Sequence, residues 1–308
     1  MERIWLSSYP PGVPTDIDPT QYESLAALLE QAFRRHPQDP VSVCMDRWMT
    51  YGQLDRYSAA LGAYLQSLGL APGARVATML PNLPQFLVTT AGMLRAAYTC
   101  VDVNHLYTAR ELEHQLKDSG AEAIVILENF AHTLEEVIDH SPVRHVVVAS
   151  FGDLLRPWYG RWMTFLVRHV AKLVPAFKLP LQGPAGPRTI VSFRRALEAA
   201  GSTQTLKPAS IGRQDIAFLQ YTGGTTGLSK GAILTHGNVI AAILQAEAWF
   251  APALNKVGDP RRTNHIMALP LYHIFALTLM LLVMRQGAHA TADSRVCQVV
   301  QICVMGKG

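Results

Sequence analysis

The residues best suited to holding a polyanion are concentrated in the run Thr222-Gly-Gly-Thr-Thr-Gly-Leu-Ser-Lys-Gly231. Glycine has no Cβ, so Gly223, Gly224 and Gly227 let backbone N–H groups approach a phosphate closely and adopt positive φ. Thr222, Thr225, Thr226 and Ser229 add hydroxyl donors, and Lys230 adds a positive charge. A surface turn is the commonest fate of such a composition. It explains neither the combination of glycines, hydroxyls and a lysine nor the strand patterns on both sides, so the residues favour phosphate binding. The spacing excludes a Walker A loop. There Gly directly precedes Lys and Ser or Thr directly follows it, whereas here Ser229 precedes Lys230 and Gly231 follows.

The elements that must position this loop follow from periodicity. Ile216-Ala-Phe-Leu-Gln-Tyr221 reads as a strand entering it, Ala232-Ile-Leu-Thr235 resumes the strand pattern, and a helix is expected over 239–250. Upstream, Leu25, Leu28, Leu29, Ala32 and Phe33 recur at helical spacing, and 53–68 carries an amphipathic pattern ended by Gly69. Short apolar strands are expected at 41–45, 47–50, 75–80, 99–103, 123–127 and 145–148. Helices are expected at 84–97 and 109–119, the second between a Thr108 cap and Gly120. This alternation predicts an α/β fold of parallel sheets covered by helices on both faces.

Between 151 and 188 the character changes. Arg156, Arg161, Arg168, Lys172, Lys178 and Arg188 face one acid, Asp153, and are interleaved with Trp158, Trp162, Phe165, Leu166, Val170, Leu173 and Val174. Two readings stay open: a surface helix packed on the domain by its aromatic face, or an interfacial helix resting on anionic lipid over 158–174. Gly183-Pro-Ala-Gly-Pro187 reads as a linker.

The chain of 308 residues is long enough to bury a large core, and 49% hydrophobic with 16% charged residues is a globular composition. A net charge of +4 carries no nucleic-acid signature at this length. Cysteines at 44, 100, 297 and 303 form no C-x-x-C pair, which suits reduced, mostly buried thiols in a cytosolic protein. No secretory signal pattern follows Met1, and the most apolar run, 276–284, is too short to span a bilayer. The expected location is cytoplasmic, with peripheral attachment at the inner face of the cell membrane if 158–174 meets lipid.

Four segments together resemble one family. Tyr221 to Gly231 is similar to the phosphate loop of the adenylate-forming superfamily of acyl-CoA synthetases, luciferases and peptide-synthetase adenylation domains. Met49-Thr-Tyr-Gly-Gln-Leu54, Asn104-His-Leu-Tyr-Thr-Ala-Arg-Glu-Leu112 and Ala268-Leu-Pro-Leu-Tyr-His-Ile-Phe-Ala276 resemble three further motifs in the same order. The likeness is to bacterial long-chain fatty-acid–CoA ligases, over about residues 1 to 289.

The resemblance implies the N-terminal domain of the adenylate-forming fold, and ATP-dependent conversion of a long-chain fatty acid to an acyl-adenylate and then to acyl-CoA. The implied small molecules are fatty acid, ATP, Mg²⁺ and coenzyme A. Thr222 would be the Mg²⁺-ligating hydroxyl. Gly223, Gly224, Thr225, Thr226, Gly227 and Lys230 would line the triphosphate, and His273 would sit where acyl carboxylate and adenylate meet. Leu271, Tyr272, Phe275 and 276–284 can wall an acyl tunnel, or equally form core. His105 stands where relatives carry Pro. The likeness fades after His289, so 290–308 is expected to be a tail, disordered or out of frame, and the chain an inactive fragment without the C-terminal domain. An adenylate-former for a shorter or aromatic acid, and a non-catalytic segment binding nucleotide or membrane, remain the alternatives.

Overall fold

A computed structural model of the chain describes residues 3–44, 47–184, 186–203, 205–222, 229–257, 259 and 263–291. Helix α1 (Leu25–Arg35) starts where the Ser24 hydroxyl accepts the Ala27 N–H, and it buries the expected stripe of Leu25, Leu28, Leu29, Ala32 and Phe33. Strands β1 (Pro40–Cys44) and β2 (Arg47–Thr50) pair antiparallel. Thr50 and Gln53 then close a capping box that opens α2 (Tyr51–Ser67). Next come β3 (Arg75–Met79), α3 (Pro84–Arg95) and β4 (Thr99–Asp102). A second capping box, Thr108 with Glu111, opens α4 (Ala109–Ser119), and Gly120 ends it in the left-handed region at φ 64°. Strand β5 (Ala123–Leu127), helix α5 (Ala131–Val137) and strand β6 (His145–Ala149) complete this half.

The return from β6 holds α6 (Pro157–Phe165), a π turn (Leu166–Val170), strands β7 (Gln182–Gly183) and β8 (Gly186–Pro187), then β9 (Thr189–Ser192) and α7 (Phe193–Thr203). The expected linker at 183–187 is therefore part of a two-stranded ribbon, with Gln182 paired to Pro187. Strands β10 (Ile216–Thr222) and β11 (Lys230–Thr235) lead to α8 (His236–Val257), which exceeds its expected span at both ends and continues through Pro252. Strand β12 (Asn264–Ile266), helix α9 (Ile274–Arg285) and strand β13 (His289–Thr291) follow. β13 lies parallel between β12 and β1 with Ala290 buried, so ordered structure runs two residues past the expected break at 289. Residues 292–308 lie outside the described residues.

The main sheet has the order β11-β10-β4-β3-β5-β6-β9, and the smaller one β12-β13-β1-β2. From β10 to β9 every neighbouring pair in the main sheet is parallel; only β11, at the edge, is antiparallel. The carboxyl ends of these parallel strands therefore share one side, where open α/β sheets receive ligands. Strands such as Ala123–Leu127 are buried along their whole length, as expected of a sheet covered on both faces. One core cluster unites α1, α2, α3, α8 and α9 with one face of the sheet, and a second joins α4 and α5 to the other.

Helix α6 corrects the reading in which it packs by its aromatic face. Its inward residue is Gly160, set against Gly152 so closely that a Cβ on either would collide with the other's carbonyl oxygen. Trp158, Trp162 and Phe165, at helical spacing on another face, stand exposed. Arg188 does not join the exposed cations. It is buried, ion-paired with Asp139 at 2.7 Å and donating to the Ile138 and Gln182 carbonyls.

Candidate functional site

The hairpin formed by β10 and β11 presents the phosphate-loop sequence at the carboxyl side of the sheet. Its register pairs Tyr221 with Gly231 and Thr222 with Lys230. Residues directly opposed across an antiparallel pair carry their side chains on one face. The Thr222 hydroxyl and the Lys230 ammonium thus stand together at the mouth of the loop, both exposed. Gly223, Gly224, Thr225, Thr226 and Gly227 lie outside the described residues.

Helix α4 holds both feet of the hairpin. The Tyr221 phenol donates to Asp118 at 2.5 Å, and the His114 Nε2–H donates to the Ser229 carbonyl at 2.9 Å. Burial, and then the Asp118 bond, raise the Tyr221 pKa above its ordinary value and keep the phenol protonated. His114 and Asp118 are four residues apart, so they lie on one face of the helix. The first turn of α8 is anchored separately. His236 is buried, and its Nδ1 accepts the Leu25 N–H at 3.1 Å. Burial lowers its pKa to about 4, which keeps the imidazole neutral and able to accept.

A row of buried polar side chains crosses the sheet just before the loop: Thr78 on β3, Asp102 on β4 and Gln220 on β10, in register. Gln220 Nε2 donates to the Tyr272 carbonyl at 2.9 Å, tying the phosphate strand to the 267–273 segment. Asn82 fixes the rest of that segment: its Nδ2 donates to the Met267 and Leu269 carbonyls at 3.1 and 2.8 Å, and its Oδ1 accepts the Leu271 N–H at 2.8 Å. Asp102 has neither carboxyl oxygen hydrogen-bonded, and burial pushes its pKa up to about 8. At neutral pH it is therefore mostly a neutral acid.

His273 caps the start of α9 with its side chain exposed and its ring 4.6 Å from that of Tyr272. His105 also makes an edge contact with the Tyr272 ring at 5.5 Å. Burial lowers the His105 pKa to about 4. The fold thus brings together three of the motifs, the hairpin, the 104–112 segment and the 268–276 segment. Leu271, Tyr272, Ala276, Leu277 and 280–284 are core. Phe275 is exposed and, with Trp249, Phe250, Ile274, Thr278 and Leu279, lines a largely apolar groove of about 920 Å³ between α8, α9 and the N-terminal 9–19 segment, which brings Asp16 to its wall.

Sequence reasoning missed Asn82, Asp102, His114, Asp118 and Gln220. The signals were present in part: Gln220 and Asp102 are polar residues inside otherwise apolar strands, and Asn82 sits in Pro81-Asn-Leu-Pro84. Polar groups placed so are found with bonding partners on other elements, or carry a function.

Comparison with known proteins identifies the family and the fold. The sequence pattern of AMP-binding enzymes matches residues 29–296. Long-chain-fatty-acid–CoA ligases of Escherichia coli and Haemophilus influenzae are 48% and 46% identical over 91% of this chain and 48% of their own length. A long-chain-fatty-acid–CoA ligase of Bacillus subtilis is 29% identical over 91% of this chain and 47% of its own. The chain spans about half the length of these relatives. Among solved structures, a long-chain-fatty-acid–CoA ligase from Archaeoglobus fulgidus superimposes with a TM-score of 0.70 at 20% identity, covering 96% of this chain and 52% of that one. An anthranilate CoA ligase in complex with anthranoyl-AMP gives 0.68 at 20% identity, covering 89% and 46%. The α/β architecture is thus that of the adenylate-forming N-terminal domain, and the chain belongs to the AMP-binding enzyme family.

Proposed function

We propose that this chain carries the triphosphate-holding and acyl-facing part of an enzyme that joins a long-chain fatty acid to coenzyme A. A carboxylate oxygen attacks the α-phosphate of ATP and the bond to pyrophosphate breaks. The coenzyme A thiol then attacks the acyl carbonyl, AMP leaves, and the thiol proton is released. The observation that carries the reading is the convergence of the β10–β11 hairpin with the His273 segment, joined through Gln220. An attacking carboxylate beside His273 and a triphosphate at Thr222 and Lys230 need that juxtaposition. The apolar groove beside Phe275 suits an acyl chain.

Mg²⁺ fits the residues present in a limited sense. Among the described residues no cluster of three His, Cys, Asp or Glu side chains is placed to hold a metal ion. Mg²⁺ bound to a nucleotide takes most of its ligands from phosphates and water, and the exposed Thr222 hydroxyl would supply one protein ligand. The ion would neutralise charge on the departing pyrophosphate. Titration of Mg-ATP against the 308-residue chain tests the reading. Binding should weaken roughly 10- to 100-fold in Lys230→Ala, the loss of one charge-assisted contact, and also in Thr225→Ala. Unchanged binding in both variants would remove the basis of the proposal. Profiling long-chain against aromatic acids with a protein of the relatives' full length decides between the substrate classes.

We also infer peripheral contact with a membrane at the cytoplasmic face through 158–174. What supports it is the exposure of Trp158, Trp162 and Phe165. Among the described residues no helix is long and apolar enough to cross a bilayer. Co-flotation of the chain with vesicles, lost on replacing both tryptophans by serine, tests this.

A further inference from the structure

The segment between β6 and β9 has more built into it than an apolar ridge. Trp158, Trp162 and Phe165 are 72, 52 and 55% exposed, and Val170 and Leu173, next along the chain, are 65 and 58% exposed. Single exposed apolar residues are ordinary, but three large aromatics on one helix face mark a contact surface. Residues 154–181 contain five Lys or Arg and no Asp or Glu. Arg168 is spent internally: its Nε donates to the fully buried Glu128 at 2.7 Å, clamping the π turn to the turn that follows β5. Arg156, Arg161, Lys172 and Lys178 have no ion pair among the described residues.

Beside the ridge lies a cleft of about 360 Å³ whose lining includes Ser150, Asp153, Arg161, Thr164, Arg168 and Arg194. Among the described residues neither Arg161 nor Arg194 is hydrogen-bonded or ion-paired through its side chain. Asp153 accepts the Ser150 N–H at 2.7 Å and supplies one opposing charge. With Arg168 cancelled by Glu128, two guanidiniums against one carboxylate leave the cleft about one positive charge. That balance complements a phosphodiester, which carries a single negative charge, better than a phosphomonoester or a pyrophosphate. The chain's topology adds a further constraint. α6 leaves the carboxyl end of β6, and the phosphate hairpin leaves the carboxyl end of the parallel strand β10, so the ridge begins on the side of the sheet that carries the ATP loop.

We propose that this surface docks on a bilayer of anionic phospholipid, the aromatic ridge entering the interface while Arg161, Arg194 and Thr164 hold a headgroup phosphodiester in the cleft. This rests on the peripheral-contact reading and supplies its partner and orientation. Arg156, Lys172 and Lys178 flank the ridge and face the remaining negative surface.

The test compares binding of the full chain to phosphatidylcholine vesicles with and without phosphatidylglycerol. Mg-ATP binding and circular dichroism serve as checks on folding. Each cation near an anionic surface contributes roughly fivefold in affinity. Arg161→Gln with Arg194→Gln should therefore weaken binding to phosphatidylglycerol vesicles roughly 25-fold and the weaker phosphatidylcholine binding far less, because the choline ammonium already neutralises that headgroup's phosphodiester. Trp158→Ser with Trp162→Ser should abolish both. Equal affinity for the two vesicle types, or a phosphatidylglycerol preference that survives in the arginine variant, overturns the headgroup site while sparing peripheral contact. Binding to neither vesicle type by a chain that still takes Mg-ATP overturns both. The proposal also fails if inorganic phosphate binds with the same arginine dependence while vesicles do not, or if the tryptophans instead drive self-association.

Discussion

Replacing Asp102 by Asn should change how stability depends on pH. Asp102 is 3% exposed, and neither carboxyl oxygen has a hydrogen-bond partner. Burial pushes its pKa up to about 8, against roughly 3.9 for an unfolded chain. A carboxyl whose folded pKa is raised binds its proton more tightly in the native state. Its contribution is therefore intact below pH 4 and is lost as pH rises from about 4 to about 8. The slope is about 1.4 kcal/mol per pH unit, so the native state loses on the order of 4 kcal/mol by pH 7. Asparagine keeps the shape and cannot ionise. Urea unfolding of both proteins at pH 5 and pH 7 isolates the effect. Asp153, raised to about 6 by burial, and His105 and His236, lowered to about 4, titrate in both proteins and cancel in the difference. The stability advantage of Asp102→Asn should grow by about 2.7 kcal/mol between the two pH values. An advantage that stays constant would show that the carboxylate is ionised in the native protein, and the reasoning from its unpaired oxygens would be refuted.

Asn82→Ala removes three hydrogen bonds to the segment before His273, two carbonyls and one N–H. It should destabilise the fold by about 2–4 kcal/mol in urea melts. His114→Ala releases the Ser229 foot of the hairpin; Mg-ATP affinity should fall several-fold while global stability changes by less than about 1 kcal/mol. Gly160→Ala places a Cβ against the Gly152 carbonyl, so α6 should lift away at a cost of about 1–3 kcal/mol, read as faster limited proteolysis between 150 and 170.

Much of the framework was legible locally. The strands of the main sheet before residue 150 are short, mainly apolar runs between turn residues, and burial on both faces makes the pattern clearest in Ala123–Leu127. The helix starts at Thr50 and Thr108 were readable because a capping box is a contact between residues three apart. The short strands β9, β12 and β13 carried too few residues for a pattern. They exist because neighbouring strands offer them unpaired edges.

By itself the sequence determined the chemistry on offer, a loop of glycines, hydroxyls and one lysine between two strands, and the family that uses it. Only the tertiary structure decided what holds that loop and what it faces. Asp118 and Tyr221 are 103 residues apart, His114 and Ser229 115, and Asn82 and Leu271 189. No periodicity can encode such pairings, since they arise only when the sheet order brings distant segments to one edge. The same holds for α6: its amphipathic pattern shows that one face is apolar, but only the Gly152–Gly160 contact determines that this face points outward.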